Sequence, residues 1–312
     1  MKNKILFHVG LHKTATSSLQ KDFFIPKYNF VQHQKGRGSW LPIFVNKFST
    51  ELTDSSEKEK VHNFVVSAIG DGLVPVVSHE RLSGYPLSGG YDRLSIYRRI
   101  ASLDLDVKIL FVIREQKDWL YSAWRQMISD GGSISLHNFL QQKSLAPNVR
   151  VPSPRHEYLN YYLEIKTLYS LFGKANVLIV PFEEINHDFP SFCEKLATFI
   201  DLDSGGDWPK TLPHRNQRQK LSQFYFKRVV NRFLFSSPTS PCGLLPQTRI
   251  SSGARALLYK SASLLPEIPL SQRIIQHHKK VISKHIGDYF VESNALAAAE
   301  LGIDLGGWGY DI

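Results

Sequence analysis

The chain has 312 residues, 42% of them hydrophobic, enough to bury one substantial core. Its formal charge is +10 and its pI about 9.4, which draws anionic partners rather than neutral ones. Two cysteines are too few for a disulfide framework, and no stretch approaches the roughly 20 apolar residues of a membrane span.

Ile5, Leu6, Phe7 and Val9 form a β-branched and aromatic run ending at Gly10, which predicts a buried parallel strand over 4–9. Lys13 follows, then Thr14, Ala15, Thr16, Ser17 and Ser18, and Ser17 to Gln20 reads as the first turn of a helix. Such a strand–turn–helix aims backbone N–H groups and hydroxyls at one small volume. It is an anion cradle. The ATP or GTP P-loop is excluded, because G-x-x-x-x-G-K-[S/T] needs a second glycine where Thr14-Ala15-Thr16 stands.

A long irregular segment, 32–56, carries Lys35, Arg37, Trp40 and Lys47 and is expected to be a binding loop. The next strand, 73–78, ends in a turn bearing His79, Glu80 and Arg81. In a parallel sheet these residues share an edge with Lys13. A third strand, 107–113, leads into Arg114. Trp119, Leu120, Ala123, Trp124 and Met127 then fall at helical steps, with Ser122 eight residues after Arg114. An arginine at a strand end and a serine on the next helix can clamp a phosphate, one by a planar charged fork, the other by a directed donor.

A second irregular segment, 131–156, contains Arg150 and Arg155. Strand 176–181 then gives way to a helix striped with Phe189, Phe192, Cys193, Leu196 and Phe199. After Asp203 the strand signal fades. Residues 203–213 are turn-rich and suggest a subdomain boundary, and helical periods are expected over 221–235, 254–265 and 270–285. Much of the positive charge lies late, at Arg215, Arg218, Lys220, Lys227, Arg228, Arg232, Lys279, Lys280 and Lys284. His277-His278 in QHHKK reads as a solvated face. No HExxH, CxxC or EF-hand pattern is present, so no metal site is expected.

The loop at Lys13 resembles the 5′-phosphosulfate loop of sulfotransferases that use 3′-phosphoadenosine 5′-phosphosulfate (PAPS). Arg114 and Ser122 resemble the same family's 3′-phosphate site, with Glu115-Gln116 in place of the Asx-Pro turn of many members. The tail from Asp288 resembles C-termini among bacterial members. The resemblance implies an α/β, P-loop-like three-layer fold: a central parallel sheet flanked by helices, with a helical C-terminal region. It implies one domain over 1–312, with a nucleotide-binding core at 1–203 and a mainly helical extension at 204–312.

It further implies PAPS as sulfuryl donor without a metal, held by His12, Lys13, Thr14, Ala15, Thr16, Ser17, Ser18, Arg114 and Ser122. Arg215 and Asn216 belong to a basic stretch that folds over the cofactor in relatives. Lys13 would stabilise the leaving phosphate, as in other in-line transfers. The general base is Glu80 or His79; adjacent residues on an extended chain point apart, and Glu80 is favoured. The expected acceptor is a hydroxyl-bearing, anionic oligo- or polysaccharide. An anionic membrane surface would also suit the charge, whereas no nucleic-acid-binding motif is seen. Without a visible anchor or signal peptide, a cytoplasmic bacterial enzyme is expected, and a chain trimmed of its anchor would look the same. Two alternatives stay open: an ATP-dependent kinase with a degenerate loop, and a catalytically silent PAPS- or polyanion-binding protein.

Overall fold

The computed structural model describes residues 3–33, 41–45, 47–86, 90–141, 155–202, 208–213, 219–236, 240, 243–246 and 248–312. Five parallel strands form one sheet: β1 Lys4–His8, β2 Phe30–Gln32, β3 Val74–Ser78, β4 Asp106–Ile113 and β5 Val177–Pro181, in the order β2-β3-β1-β4-β5. Leu6 pairs with Val76 on one side and Lys108 on the other. The chain order reverses direction across β1. Strand ends β1, β3 and β4 therefore open side by side at one edge, where ligands bind in such sheets.

Helices cover both faces. They are α1 Thr16–Ser18, continued as a π-helical turn over Leu19–Phe23, then α2 Leu41–Phe44, α3 Ser55–Gly70, α4 Arg93–Ala101 and α5 Gln116–Ser129. Next come α6 Leu136–Leu140, α7 Tyr161–Phe172, α8 Phe182–His187 and α9 Phe189–Phe199. The last are α10 Leu221–Phe233, α11 Arg249–Ser261, α12 Ser271–Ile286 and α13 Val291–Leu301.

The strands alternate between two cores, as a pleated sheet requires. Ile5, Phe7, Ile109 and Phe111 face a large core with Trp119, Trp124, Leu168 and Phe290. Leu6, Leu110, Val112 and Val76 face a smaller one with Phe23, Phe30, Phe192 and Leu196. The three-layer α/β reading holds, and all four expected strands are present within a residue at either end.

Several expectations are corrected. β2 is not among the expected strands, because three residues are too few to show a period; its partner β3 supplies the order. Within 32–56 lie α2 and the start of α3, and within 131–156 lies α6, whose Leu136, Phe139 and Leu140 are buried. Trp40, Lys35, Arg37 and Arg150 lie outside the described residues. Helix α11 starts five residues before the expected Ala254, since Thr248 and Ser251 form a reciprocal cap. His278 is buried rather than solvated, packed edge-on against Trp124 with ring centroids 5.2 Å apart. Around the expected boundary, Trp208 packs on Phe23 and Leu212 is buried in the smaller core.

Candidate active site at the ends of β1, β3 and β4

Residues 9–15 close tightly over the end of β1. A Cβ at Gly10 would lie 2.7 Å from His8 Nε2 and 3.2 Å from Thr14 Oγ1, so the loop closes this far because residue 10 has no side chain. Lys13 and Ala15 both take left-handed backbone, with φ of 69° and 60°. Non-glycine residues hold that conformation only where the surroundings enforce it, and such strain gathers at functional sites.

The surroundings are visible. Trp119 Nε1 donates to the His12 carbonyl at 2.7 Å, Thr14 Oγ1 to the Leu11 carbonyl at 2.5 Å, and Arg114 Nη1 to the Lys13 carbonyl at 2.8 Å. Ser18 and Leu19 donate their N–H groups back to Ala15. Among the described residues, no backbone bond uses the N–H groups of Lys13 to Ser17. They are free to receive an anion.

Side-chain atoms tell the same story. Thr16 Oγ1, Arg114 Nε and His12 Nδ1 are buried without a hydrogen-bond partner. Buried polar atoms left unpaired are costly, and a ligand supplying acceptors would satisfy them. Lys13 reaches α5, where its Nζ donates to Gln126 Oε1 at 3.1 Å. Burial, and next the Arg114 charge, hold the Lys13 amine below the usual lysine range, although Asp130 and Glu80 pull the other way. Two neighbouring cations, partly dehydrated, favour an anion between them.

Ser122 is half-buried and carries no hydrogen bond among the described residues. On α5 it lies between Trp119 and Gln126, one turn from each, and both of those contact the loop. Ser122 therefore shares the face of α5 that meets the loop. Arg114 itself is held by several groups: its carbonyl accepts from Tyr161 Oη, and its guanidinium lies 4.9 Å from the Phe182 ring centre. Glu183 accepts from the N–H of Glu115, which in turn caps α5.

The β3 turn faces the loop. Glu80 opens a 3-10 turn, Glu80–Ser83, and is half-buried. Ser83 Oγ lies 2.8 Å from the Glu80 carbonyl, 3.4 Å from the Gly10 carbonyl and 3.2 Å from Tyr158 Oη, tying the turn to the loop. Arg93 braces it from behind, donating to the Ser83 carbonyl at 2.8 Å while paired with buried Glu164 at 2.5 Å. His79 Nδ1 accepts from the N–H of Arg81 at 3.0 Å and so caps the turn. Glu80's carboxylate is free of that duty. His12 is pushed down to about 4, chiefly by burial, with Glu80 opposing and Arg81, His79 and Lys13 reinforcing.

His12 to Ser18, Arg114, Ser122, His79 and Glu80 are thus gathered at one sheet edge. Arg215 and Asn216 lie outside the described residues, although Gln219 beside them accepts from the buried Arg125 through its carbonyl. The sequence reading missed Gln126, the partner of Lys13, and took Trp119 for core alone. Gln126 stands four residues after Ser122, the spacing that places side chains on one helix face, and that signal could have found it. It also missed His8, fully buried beneath the loop, with Nδ1 2.8 Å from Ser78 Oγ and its pKa pushed down by burial to about 3. Among the described residues no group of three His, Cys, Asp or Glu could hold a metal ion, and no helix is long and apolar enough to cross a membrane.

A family model for the sulfotransferase domain matches residues 96–232, a span that includes Arg114 and Ser122 and begins after Lys13 and Glu80. No curated protein matches the chain. Among solved structures it is similar to a sulfotransferase from Alicyclobacillus acidocaldarius, at 16% identity and a TM-score of 0.54 over 97% of each chain. That similarity shows a shared fold. A mouse sulfotransferase, SULT7A1, complexed with PAP is 14% identical over 95% of this chain and 89% of its own, at a TM-score of 0.39. A retinol dehydratase in complex with retinol and PAP is 11% identical over 92% and 82%, at a TM-score of 0.31. The last two are too distant in structure to carry an argument.

Proposed function

We propose that this chain, a member of the sulfotransferase family, moves a sulfuryl group from PAPS to a hydroxyl of an oligo- or polysaccharide. One observation carries the reading: Arg114 donates to the carbonyl of Lys13, so the two anion-binding motifs form one continuous site. A donor with phosphates at both ends of a nucleoside needs that arrangement. The residues fit it. The N–H groups of Lys13 to Ser17 and the Thr16 hydroxyl suit the phosphosulfate, and Arg114 with Ser122 suits the 3′-phosphate.

Bound PAPS would supply the sulfuryl group. Lys13 neutralises charge gathering on the bridging oxygen, a role favoured by its partly dehydrated ammonium. Glu80 accepts the acceptor's hydroxyl proton, because His79 is engaged in capping the turn that presents it. Cationic side chains here do the work that a metal does in many phosphoryl transfers. The +10 charge supports an anionic acceptor, and we read the whole chain as a single domain with a helical extension.

The test is a sulfuryl-transfer assay with PAPS over a panel of acidic and neutral glycans, on the native enzyme and on Lys13→Ala and Glu80→Gln. Native turnover lost in both variants, with 3′,5′-ADP still bound by Glu80→Gln, supports the assignment. Full activity in Glu80→Gln together with loss in His79→Ala would transfer the base to His79.

A further inference from the structure

From Trp208 to Pro266 the chain contains ten Lys and Arg and no Asp or Glu. Much of this stretch is the hairpin of α10 and α11. The inner side of α10 is fastened to the rest of the protein. Asn231 is fully buried and its Nδ2 donates at 2.7 Å to the carbonyls of both Ile128 and Gly132, while Arg228 donates to Ser133 at 3.0 Å. Helix α11 then rests on α10 through Tyr259, whose hydroxyl donates to Asn231 and whose ring lies 4.7 Å from Lys227 Nζ.

Each helix also has an apolar side that is bare. Ile250 and Leu257 lie about 160–180° round α11 from Tyr259, Leu264 follows in the 3-10 turn Ala262–Leu264, and the three are 86%, 72% and 85% exposed. Val229 and Phe233 lie on α10, turned away from Phe224 and Asn231 and 56% and 60% exposed. Leu244 joins them, 84% exposed and bonded through its N–H to the Phe233 carbonyl. Seven of the seventeen large apolar side chains exposed among the described residues fall between Val229 and Leu264. Such side chains scattered singly need no explanation, but a concentration on one hairpin marks an interaction surface. No residue of α11 is buried, so its stripe does not serve the core.

We propose that the bare stripe of α11, with the turn that follows it, docks on an anionic lipid surface. Arg249 and Lys260 flank the stripe, and Arg232 lies on α10 beside Phe233. An apolar stripe bordered by cations, on a stretch of chain without Asp or Glu, suits a layer offering negative headgroups above an apolar interior. A soluble polyanion would match the charge and leave the leucines in water. A second copy of this chain would set Arg249 and Lys260 against the same cations. The hairpin packs on α5, which carries Ser122 and Gln126, so docking would bring the sheet edge close to the lipid surface. Resting on the proposed sulfuryl transfer, this points to acceptors attached to lipid rather than free in solution.

The full chain should be floated with vesicles of phosphatidylcholine alone and of phosphatidylcholine with phosphatidylglycerol, beside the Ile250→Ser, Leu257→Ser double variant. Both side chains are solvent-exposed, so folding should persist, and unchanged 3′,5′-ADP binding would confirm it. The native protein should float only with the anionic vesicles, less so at high salt, and the double variant should lose about tenfold or more in partitioning. No flotation, or equal flotation of the variant, overturns the proposal. So does a native dimer in size exclusion that the double substitution splits, which would make the face an interface between copies. Flotation needs neither donor nor acceptor, so its failure is separate from any failure of the sulfotransferase reading.

Discussion

The loop over β1 and the α10–α11 hairpin are opposites in what they leave unpartnered. Beneath the loop, polar atoms are buried without partners: Thr16 Oγ1, Arg114 Nε, His12 Nδ1 and His8 Nε2. On the hairpin, apolar side chains stand in water, while its buried Asn231 is bonded on both sides. Each departs from the rule that polar atoms find partners and large apolar groups find cover. The first departure fits a small polar anion; the second fits an extended apolar surface. The two proposed ligands, a nucleotide donor and a lipid surface, rest on these two unmet needs.

The comparison breaks first on Lys13. Lys13→Ala should lower turnover by about 10²–10³-fold, the scale of losing one preorganised charge-stabilising group, without unfolding the protein. A loss of only a few-fold would place the stabilising charge elsewhere, with Arg114 the next residue to examine.

The scaffold beneath the acceptor turn comes next. Glu164→Leu leaves the Arg93 guanidinium buried and unpaired, and should cost about 3–5 kcal/mol in urea unfolding. Substitutions on the bare face should differ sharply: Leu257→Ser should stay within about 0.5 kcal/mol of the native value. A large destabilisation there would mean that the stripe is covered.

Acid sharpens the contrast further. Burial holds His8 down to about 3, and His12 and His278 to about 4. In the unfolded chain each binds a proton near pH 6.5, so the unfolded state holds more protons from about pH 6.5 down to 4. Stability should therefore be full above pH 7 and fall as pH drops through that window. His278→Gln should make the fall in melting temperature shallower. An unchanged slope would show that His278 takes up its proton in the folded state.

The sequence was most informative where local chemistry and position coincide. Gly10, Lys13 and the small hydroxyl residues define the turn without help from elsewhere, and the apolar run 107–113 fixes where Arg114 emerges. The bonds that join them were invisible, because Arg114 to Lys13 and Trp119 to His12 are contacts across about a hundred residues of chain. Periodicity identified α11 as a helix but not which side faces the core. Its stripe is as regular as that of α9, yet Phe192 and Leu196 are buried while Ile250 and Leu257 are bare. His278 was misread for a related reason: its neighbours Lys279 and Lys280 are exposed, and helical geometry turns residue 278 alone inward against Trp124.

The central claim is that Lys13 and Arg114 hold the two ends of one nucleotide donor. Calorimetric titration with 3′,5′-ADP, run beside Mg·ATP and repeated on Arg114→Ala, addresses it directly. Binding of 3′,5′-ADP that weakens about 10- to 100-fold in the variant, with little response to Mg·ATP, is the predicted result. Preference for Mg·ATP, or affinity for 3′,5′-ADP indifferent to Arg114, would contradict it.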